Sequence, residues 1–280
     1  MHEEKDEKIF KNENLRKIFE DVFDSATVGA IHELARKKYI DQVEYVISTG
    51  KEGNVFRCQA GKGFYALKIY KVETSDFKHM ADYITGDERF KNVRKDKLEI
   101  IKAWTKKEQR NLFDLNNAGV RVPLPIAYNR NCLVMEFIGK NGVPAPRAKE
   151  KPFTEPEKQY TVLCDYLAKM YIIGLVHSDL SEYNILNNDE ELVIIDVGQT
   201  ITVKHPSARE FFERDINNLS KWFKKQGVKT NYEEMYAKVK KLANKIETKN
   251  EKKQKNIRKK MKKTKKEQKK NKKNQKKYKK

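Results

Sequence analysis

The spacing of hydrophobic side chains predicts strands mainly in the first half of the chain and helices mainly in the second. Short runs rich in apolar and β-branched residues, typical of strands, occupy 43–47, 54–58, 64–70 and 132–138. Longer stretches with apolar residues three and four positions apart, typical of helices, occupy 97–118, 154–173, 206–222 and 231–247. We therefore expect an α+β domain at 41–247, with a small β-rich N-lobe at about 41–138 and a mostly helical C-lobe at about 139–247.

Two charged segments interrupt or precede this pattern. Residues 1–40 are strongly charged, but their apolar residues recur at helical spacing, so we expect two short amphipathic helices that pack on the main domain. Residues 71–96 are also mostly charged and predict a mobile loop that carries Thr74, Ser75 and Thr85.

A connector between the lobes is predicted at 140–151, which contains two prolines. Directly after it, Thr154 and Glu157 have the T-x-x-E spacing of a capping box. In a capping box the threonine hydroxyl accepts a hydrogen bond from a free backbone N–H of the first helical turn. The spacing therefore predicts that the next helix begins at Thr154.

The positive charge of the chain is concentrated at its end. Residues 249–280 carry 19 basic and 2 acidic side chains, whereas the remaining 248 residues carry 42 basic and 38 acidic ones. A segment of this composition cannot bury a core, so we expect a disordered lysine-rich tail at 248–280. Such a tail is suited to displacing counterions from RNA, although a tail that only keeps the protein soluble is the alternative.

Cysteine usage and hydropathy indicate the compartment. Cys58, Cys132 and Cys164 are widely spaced, with no C-x-x-C, and are expected to be reduced core cysteines. The five histidines lack metal-ligand spacing. The charged start has no apolar signal core, and no run approaches about 18 apolar residues. These features predict a soluble cytoplasmic protein without a membrane segment.

The strongest chemical motif lies between the predicted helices at 154–173 and 206–222. Asp179 and Asn184 stand five residues apart after His177, and Asp196 follows a short apolar strand and precedes Val197 and a glycine. This is the spacing of the H-x-D-x-x-x-x-N loop and D-x-G motif of phosphotransferases. One carboxylate can orient or deprotonate an attacking hydroxyl, while the amide oxygen and second carboxylate can ligate Mg²⁺. A polar turn between two strands is the alternative.

A candidate ion pair comes from the predicted N-lobe. Lys68 interrupts a strand in the pattern Ala-Leu-Lys, where an ammonium can reach phosphate oxygens. Glu108 lies on the apolar face of the helix at 97–118, and a carboxylate there requires a buried cation. We therefore expect Lys68 to pair with Glu108; Glu99 is the weaker partner because it lies off that face. A solvated lysine on a strand face is the alternative.

Two backbone segments could bind a nucleotide. The turn at 48–53 contains two glycines between predicted strands and could place N–H groups over phosphates, although a plain hairpin turn is the alternative. It is not a Walker A loop, because the position that would require glycine is Tyr45. The strand at 132–138 runs into Gly139, and such a hinge offers a carbonyl and an N–H two residues apart to adenine.

Together these motifs resemble the RIO family of atypical serine/threonine protein kinases. The segments that carry the resemblance are 48–55, 177–184 and 195–199, and the similarity spans about 43–222. The form of the glycine turn resembles the first RIO subfamily; the second carries an N-terminal winged helix, for which about 40 residues are too few. The resemblance implies a bilobal protein-kinase-like fold that is truncated relative to ordinary protein kinases.

The resemblance also implies how ATP binds. Ser48 and the loop backbone from Gly50 would contact the phosphates. The backbone carbonyl of Glu136 and the backbone N–H of Ile138 would bind the adenine edge.

The remaining roles follow from the same resemblance. Lys68, held by Glu108, would bind the α- and β-phosphates, and Asp179 would be the catalytic aspartate. Asn184 and Asp196 would ligate Mg²⁺, with Mn²⁺ as a substitute, and Asp196 could become an aspartyl-phosphate. Members of the family act as ATPases and Ser/Thr kinases late in maturation of the small ribosomal subunit, which makes the pre-ribosomal particle and its rRNA the expected partners.

Departures from ordinary protein kinases leave two alternatives open. Ser178 replaces the arginine of H-R-D, Val197 replaces the phenylalanine of D-F-G, and only about ten residues separate Asp196 from the next helix. A peptide-binding activation segment does not fit in that space. The alternatives are a small-molecule phosphotransferase of the aminoglycoside or choline type, and a pseudokinase that serves as a ribosome-binding module.

Overall fold

The computed structural model describes residues 9–11, 13, 19, 23–72, 77–90, 93, 94 and 96–251. The helices are α1 (Ser25–Arg36), α2 (Phe77–Thr85), α3 (Lys97–Asn117), α4 (Pro156–Ile172), α5 (Ala208–Lys225) and α6 (232–251). The strands are β1 (Gln42–Thr49), β2 (Gly53–Ala60), β3 (Gly63–Tyr70), β4 (Pro125–Asn129), β5 (Cys132–Glu136), β6 (Gly139–Lys140), β7 (Val143–Pro144), β8 (Leu175–Val176), β9 (Ile185–Asn188), β10 (Glu191–Ile194) and β11 (Ile201–Thr202). The predicted α+β division into a strand-rich and a helical half is confirmed.

The N-terminal half is built on an antiparallel sheet of five strands in the order β1-β2-β3-β5-β4. Successive side chains on the central strand β3 point to opposite faces. Leu67 and Ile69 therefore pack in a core on one face, whereas Ala66 belongs to the core shared with the C-terminal half. Lys68 shares the parity of Ala66, so the strand directs it away from the first core.

Helix α1 covers the outer face of this sheet. Its Ile31 and Leu34 are fully buried in the same core as Leu67 and Ile69. The second of the two amphipathic helices predicted in 1–40 is thus present, whereas most of the first falls outside the described residues.

The predicted loop at 71–96 is wrong for the part that the structure describes. Residues 77–85 form α2, and Glu88–Phe90 form a 3₁₀ turn. The reason is an apolar stripe that the high charge concealed: Met80, Tyr83 and Ile84 are buried against the α3 core. Thr85 ends the helix with its hydroxyl bonded to the Ala81 carbonyl, and the positions of Thr74 and Ser75 fall outside the described residues.

The predicted capping box is also wrong. Helix α4 begins at Pro156, and its N-cap residue Glu155 makes no side-chain capping bond. Proline favours the first helical position and disfavours helical geometry in the residue before it, so Pro156 sets the start. The Thr154 N–H instead binds the Glu190 carboxylate at 2.9 Å.

The C-terminal half packs α4, α5 and α6 with the β9–β10 hairpin in one hydrophobic core. The apolar run before Asp196 predicted β10, whereas β9 was not predicted. Ile194 of β10 pairs with Ile185 of β9, and the Ile195 N–H donates to the Asn184 carbonyl at 3.0 Å. This register places Asn184, which precedes β9, beside Asp196, which follows β10. The hairpin thus joins the two motifs that the sequence singled out.

Two expectations about composition can also be compared with the structure. The three cysteines are buried and unpaired, as predicted. Among the described residues, none of the helices combines the length and apolar composition that crossing a bilayer requires.

Candidate active site

A cavity of about 790 Å³ lies between the sheet and the helical half. Eight of the nine predicted site residues line it: Ser48, Gly50, Lys68, Glu108, Glu136, Ile138, Asn184 and Asp196. Asp179 lies next to it, where its backbone carbonyl accepts a bond from the Asn184 side-chain amide at 2.8 Å. Folding therefore gathers residues from positions 48 to 196 around one space.

Lys68 lines the cavity and forms two ion pairs there. Its ammonium lies 2.9 Å from a Glu108 carboxylate oxygen and 2.9 Å from an Asp196 carboxylate oxygen. The predicted Lys68–Glu108 ion pair is thus present, while the alternative partner Glu99 binds Lys102 on the outside of α3 at 2.7 Å. One lysine therefore connects β3, α3 and the segment after β10.

Burial and neighbouring charges shift the pKa values of Lys68 and Glu108 in opposite directions. Burial lowers the pKa of Lys68, but the Asp196 and Glu108 carboxylates outweigh it, so that the net shift is upward. The Lys68 charge lowers the pKa of Asp196. Burial raises the pKa of Glu108 to about 7 against the pull of Lys68, and its second oxygen has no hydrogen-bond partner in the described structure.

Asp215, which the sequence analysis did not identify, holds the loop before β9 through hydrogen bonds. The buried Asp215 of α5 accepts backbone N–H bonds from Ser178 and Leu180, both at 2.9 Å. Ser178 is held in a left-handed conformation with φ of 68°, and the Arg214 side chain binds its carbonyl. These hydrogen bonds hold the turn that carries Asp179 in one conformation. Nothing in the local sequence marked Asp215, because a helical aspartate normally faces solvent.

The residues present fit a magnesium ion. Asn184 uses its amide nitrogen on the Asp179 carbonyl, which leaves its amide oxygen for a cation, and Asp196 supplies a carboxylate. The described residues contain no cluster of three or more His, Cys, Asp or Glu able to hold a metal ion. Mg²⁺ typically takes one or two protein oxygens and completes its shell with phosphates and water, so this sparse donor set suits Mg²⁺ bound together with a nucleotide.

Arg147, in the connector, brings a second cation that the sequence analysis did not identify. It lines the cavity, and its guanidinium lies 3.4 Å from the Ser48 hydroxyl. Its charge contributes to lowering the pKa of Asp196. Within the described residues no carboxylate lies within 4.0 Å of this guanidinium, so its charge remains available to an anion.

The glycine turn forms the roof of the cavity. The Gly50 N–H donates to the Gly53 carbonyl at 2.9 Å, which closes the turn between β1 and β2. A side chain at Gly53 would lie 2.5 Å from the Ile69 carbonyl oxygen, so only glycine fits there. The turn is thus a hairpin, and it also lines the cavity along its whole length.

At the opposite end, the cavity reaches the junction between β5 and the connector. Arg121 binds both carboxylate oxygens of Glu136 at 2.7 Å, so the Glu136 side chain is fully engaged. The Ile138 carbonyl accepts a bond from the Ala145 N–H at 3.0 Å. The polar groups that this junction leaves for a ligand are therefore backbone groups, because the Glu136 side chain is already engaged.

The chain matches known proteins over most of its length. The RIO domain family matches residues 54–236. The RIO-type serine/threonine-protein kinase Rio1 of Haloferax volcanii is 45% identical over 79% of this chain and 76% of its own length. The Rio1 kinase of Methanocaldococcus jannaschii is 38% identical over 80% of this chain and 79% of its own.

Solved structures share the fold. The Rio2 kinase of Chaetomium thermophilum, in a complex described as ADP/Mg²⁺-phosphoaspartate, aligns with a TM-score of 0.57 at 21% identity. The alignment covers 77% of this chain and 66% of that one. A second structure of the same kinase gives a TM-score of 0.58 at 24% identity, over 76% of this chain and 67% of that one.

Proposed function

The chain belongs to the RIO kinase family, and on that premise we propose that it is an ATP- and Mg²⁺-dependent serine/threonine kinase and ATPase. The observation that carries the proposal is the Lys68 ammonium shared between Glu108 and Asp196 inside the interlobe cavity. A nucleotide-binding kinase requires a cation fixed near the phosphates and a carboxylate near the metal. The curated relatives named as serine/threonine kinases support the same activity.

In this proposal the nucleotide spans the cavity from end to end. Adenine binds the backbone of Glu136 and Ile138, and the phosphates lie beneath Ser48 and Gly50, next to Lys68. When bound, Mg²⁺ neutralises phosphate charge, and Asn184 and Asp196 hold it. Mn²⁺ could replace Mg²⁺, because both accept oxygen ligands.

We further propose that Asp196 receives the phosphoryl group. An Asp196 carboxylate oxygen attacks the γ-phosphorus, the bond to the bridging oxygen of ADP breaks, and ADP leaves with that electron pair. Water then hydrolyses the acyl phosphate, with Asp179 placed to accept its proton. The phosphoaspartate in the Rio2 complex supports this step. The segment at 197–207, a 3₁₀ turn and β11, is too short for the activation segment with which ordinary protein kinases bind a competing peptide.

The biological setting follows from the lysine-rich end and from the family. We propose that the protein works in the cytoplasm on a precursor of the small ribosomal subunit and binds its rRNA through residues 249–280, which carry 19 basic side chains. Backbone phosphates attract such a segment whatever the RNA sequence. Slow ATP hydrolysis through Asp196 would then act as a conformational switch on that particle.

The test follows the γ-phosphate of labelled ATP in the presence of pre-ribosomal particles. Label should appear on the protein, be released by hydroxylamine, which cleaves acyl phosphates, and be absent in Asp196→Asn. Stable label on Thr85 or another hydroxyl would indicate ordinary autophosphorylation and would exclude the aspartyl intermediate. Label in a small molecule would favour a small-molecule phosphotransferase, and the absence of any turnover would favour a pseudokinase.

A further inference from the structure

A buried lysine next to Glu108 holds the segment that follows Asp196. Lys107 has no exposed surface, and its ammonium donates to the carbonyl oxygens of Gly198 and Thr200, both at 2.6 Å. Those carbonyls belong to the turn at 197–200, directly after the proposed metal ligand. Lys107 thus ties α3 to the loop that carries Asp196.

A second side chain of α3 makes the same connection. Asn111 is fully buried, and its amide nitrogen donates to the carbonyl oxygens of Val197 at 2.8 Å and Thr200 at 3.2 Å. Residues four apart lie on the same face of a helix, so Lys107 and Asn111 reach the turn together. One face of α3 therefore donates four hydrogen bonds to three carbonyl oxygens of the turn at 197–200.

The turn is pressed closely onto that face. A side chain at Gly198 would lie 2.8 Å from the indole nitrogen of Trp104, which precedes Lys107 by three positions. Trp104, Lys107 and Asn111 thus form one continuous surface for the turn at 197–200. We refer to Lys107 and Asn111 as the α3 clasp.

Stability alone does not account for a buried lysine here. Burying an ammonium costs several kcal/mol of hydration unless it is well paired, and an apolar side chain of similar size is often neutral or stabilising in its place. Among the described residues, the charge that favours the Lys107 ammonium comes from Asp87, which is itself bound by Arg89 at 2.7 Å. The direct partners of the lysine are backbone carbonyls of the Asp196 loop.

The backbone at Asp196 explains what such a clasp would do. Asp196 is held at φ of 60° and ψ of 55°, a left-handed conformation that is uncommon for residues other than glycine. Such a conformation persists only when the surroundings impose it. The clasp grips the residues that follow immediately, and through them it fixes the direction of the Asp196 carboxylate.

We propose that Lys107 and Asn111 are positioning residues that hold the Asp196 carboxylate where it can serve Lys68 and Mg²⁺. This inference rests on the proposed function in its catalytic consequence, but the clasp itself exists without ligand. Glu108 stands on the same helix and holds Lys68. In this proposal α3 therefore positions both the phosphate-binding ammonium of Lys68 and the metal-binding carboxylate of Asp196.

The test compares Lys107→Met, which keeps the side-chain length but removes the ammonium, with Thr105→Val as a matched control. Thr105 is equally buried in α3, but its hydroxyl bonds only within the helix, to the Ile101 carbonyl at 3.0 Å. In the ligand-free protein, backbone amide exchange across 196–201 should accelerate about tenfold in Lys107→Met and stay unchanged in Thr105→Val.

The catalytic consequence is measured separately. The Mg²⁺ concentration for half-maximal ATP turnover should rise about tenfold in Lys107→Met, while the Kd for ADP without Mg²⁺ changes less than about twofold. If Lys107→Met does not fold, Asn111→Leu takes its place. Unchanged exchange at 196–201 would overturn the clasp, and unchanged Mg²⁺ dependence would overturn its positioning role. If the wild type neither binds nor hydrolyses ATP, the proposed function fails while amide exchange still decides the clasp.

Discussion

At the scale of single residues, replacing Glu108, the partner of Lys68, tests the candidate site most directly. We expect Glu108→Gln to lower ATP turnover at least about tenfold, because the freed ammonium would no longer be held at the phosphates. Glu99→Gln is the matched control, since Glu99 lies on the same helix and binds Lys102 instead. Steady-state ATPase rates measure both variants. Equal loss in the two, or none in Glu108→Gln, would contradict this assignment.

Arg147 provides a second residue-level prediction. If its guanidinium binds phosphate beside Ser48, Arg147→Gln should raise the Kd for ATP about tenfold, the usual effect of losing a charge-assisted hydrogen bond. Lys149→Gln removes a nearby positive charge that stands over the Tyr183 ring instead, and it should leave the Kd unchanged. Calorimetric titration at low salt compares the two. A Kd that is the same in all three proteins would place Arg147 outside the phosphate site.

The buried Lys107 predicts a pH-dependent stability. Burial lowers the pKa of its ammonium to about 7 from its ordinary value of 10.5. The charged or titratable groups that influence it or are influenced by it are Asp87, Arg89, His177 and His205. Between these two pKa values the unfolded chain binds a proton that the folded chain lacks, so the free energy of unfolding rises with pH.

Lys107→Met lacks this contribution. From pH 6 to pH 9 the wild type should therefore gain about 2–3 kcal/mol of stability relative to the variant. Denaturant unfolding at both pH values measures the change. Lys106→Met, which removes the exposed neighbouring lysine, should show no such gain. A pH-independent difference for Lys107→Met would mean that the lysine keeps its proton throughout this range.

At the scale of elements, α1 stabilises the sheet without contributing to the cavity. Leu34→Ala should cost about 2–5 kcal/mol of unfolding free energy, because it opens a hole in a fully buried core. Leu124→Ala, at a position that is 45% exposed, should cost much less. Leu34→Ala should keep the wild-type Kd for ATP, since α1 packs on the face of the sheet away from the cavity. Weaker ATP binding in Leu34→Ala would mean that α1 shapes the site.

Elements with strong local signals were predicted well. The helix at 97–118 has a continuous apolar face and ends at Gly119, whose φ of 76° suits a glycine. Helix α2 was missed because it is only nine residues long and strongly charged segments flank it on both sides. Strand β10 was predicted from the apolar run before Asp196, whereas its partner β9 was missed because two of its four residues are asparagines.

Within the site, motif residues could be predicted but their supports could not. Lys68, Asp179, Asn184 and Asp196 stand in recognisable spacing. Lys107 and Asp215 look like ordinary solvent-facing charges of amphipathic helices, and only the tertiary fold buries them. The partners of these two side chains lie far away in the sequence, so the local spacing of apolar residues cannot reveal them.

At the scale of the whole molecule, charge separates the proposed catalytic and RNA-binding parts. The first 248 residues are nearly balanced, with 42 basic and 38 acidic side chains, and the last 32 carry most of the net charge. Deleting 249–280 should weaken binding to ribosomal RNA and flatten its dependence on salt, because fewer counterions are released.

The matched control keeps the length of 249–280 and replaces its lysines with glutamine. It should behave like the deletion, and both should retain the ATPase rate of the free protein. Filter binding across a range of salt concentrations provides the affinities. RNA affinity that survives the loss of charge would show that another surface binds the RNA.

The Lys68 ammonium shared between Glu108 and Asp196 has a thermodynamic consequence for how ligands enter. Without nucleotide, the Asp196 carboxylate is paired with the Lys68 ammonium, and a Mg²⁺ ion that binds Asp196 as we propose would have to displace that ammonium. In the proposed complex, phosphates would draw the ammonium toward themselves and so release the carboxylate for the metal. Nucleotide and metal then share one coupling free energy, and each must tighten the binding of the other by the same factor. On the proposed roles of Lys68 and Asp196, the protein would therefore select the Mg²⁺–nucleotide complex over either component alone.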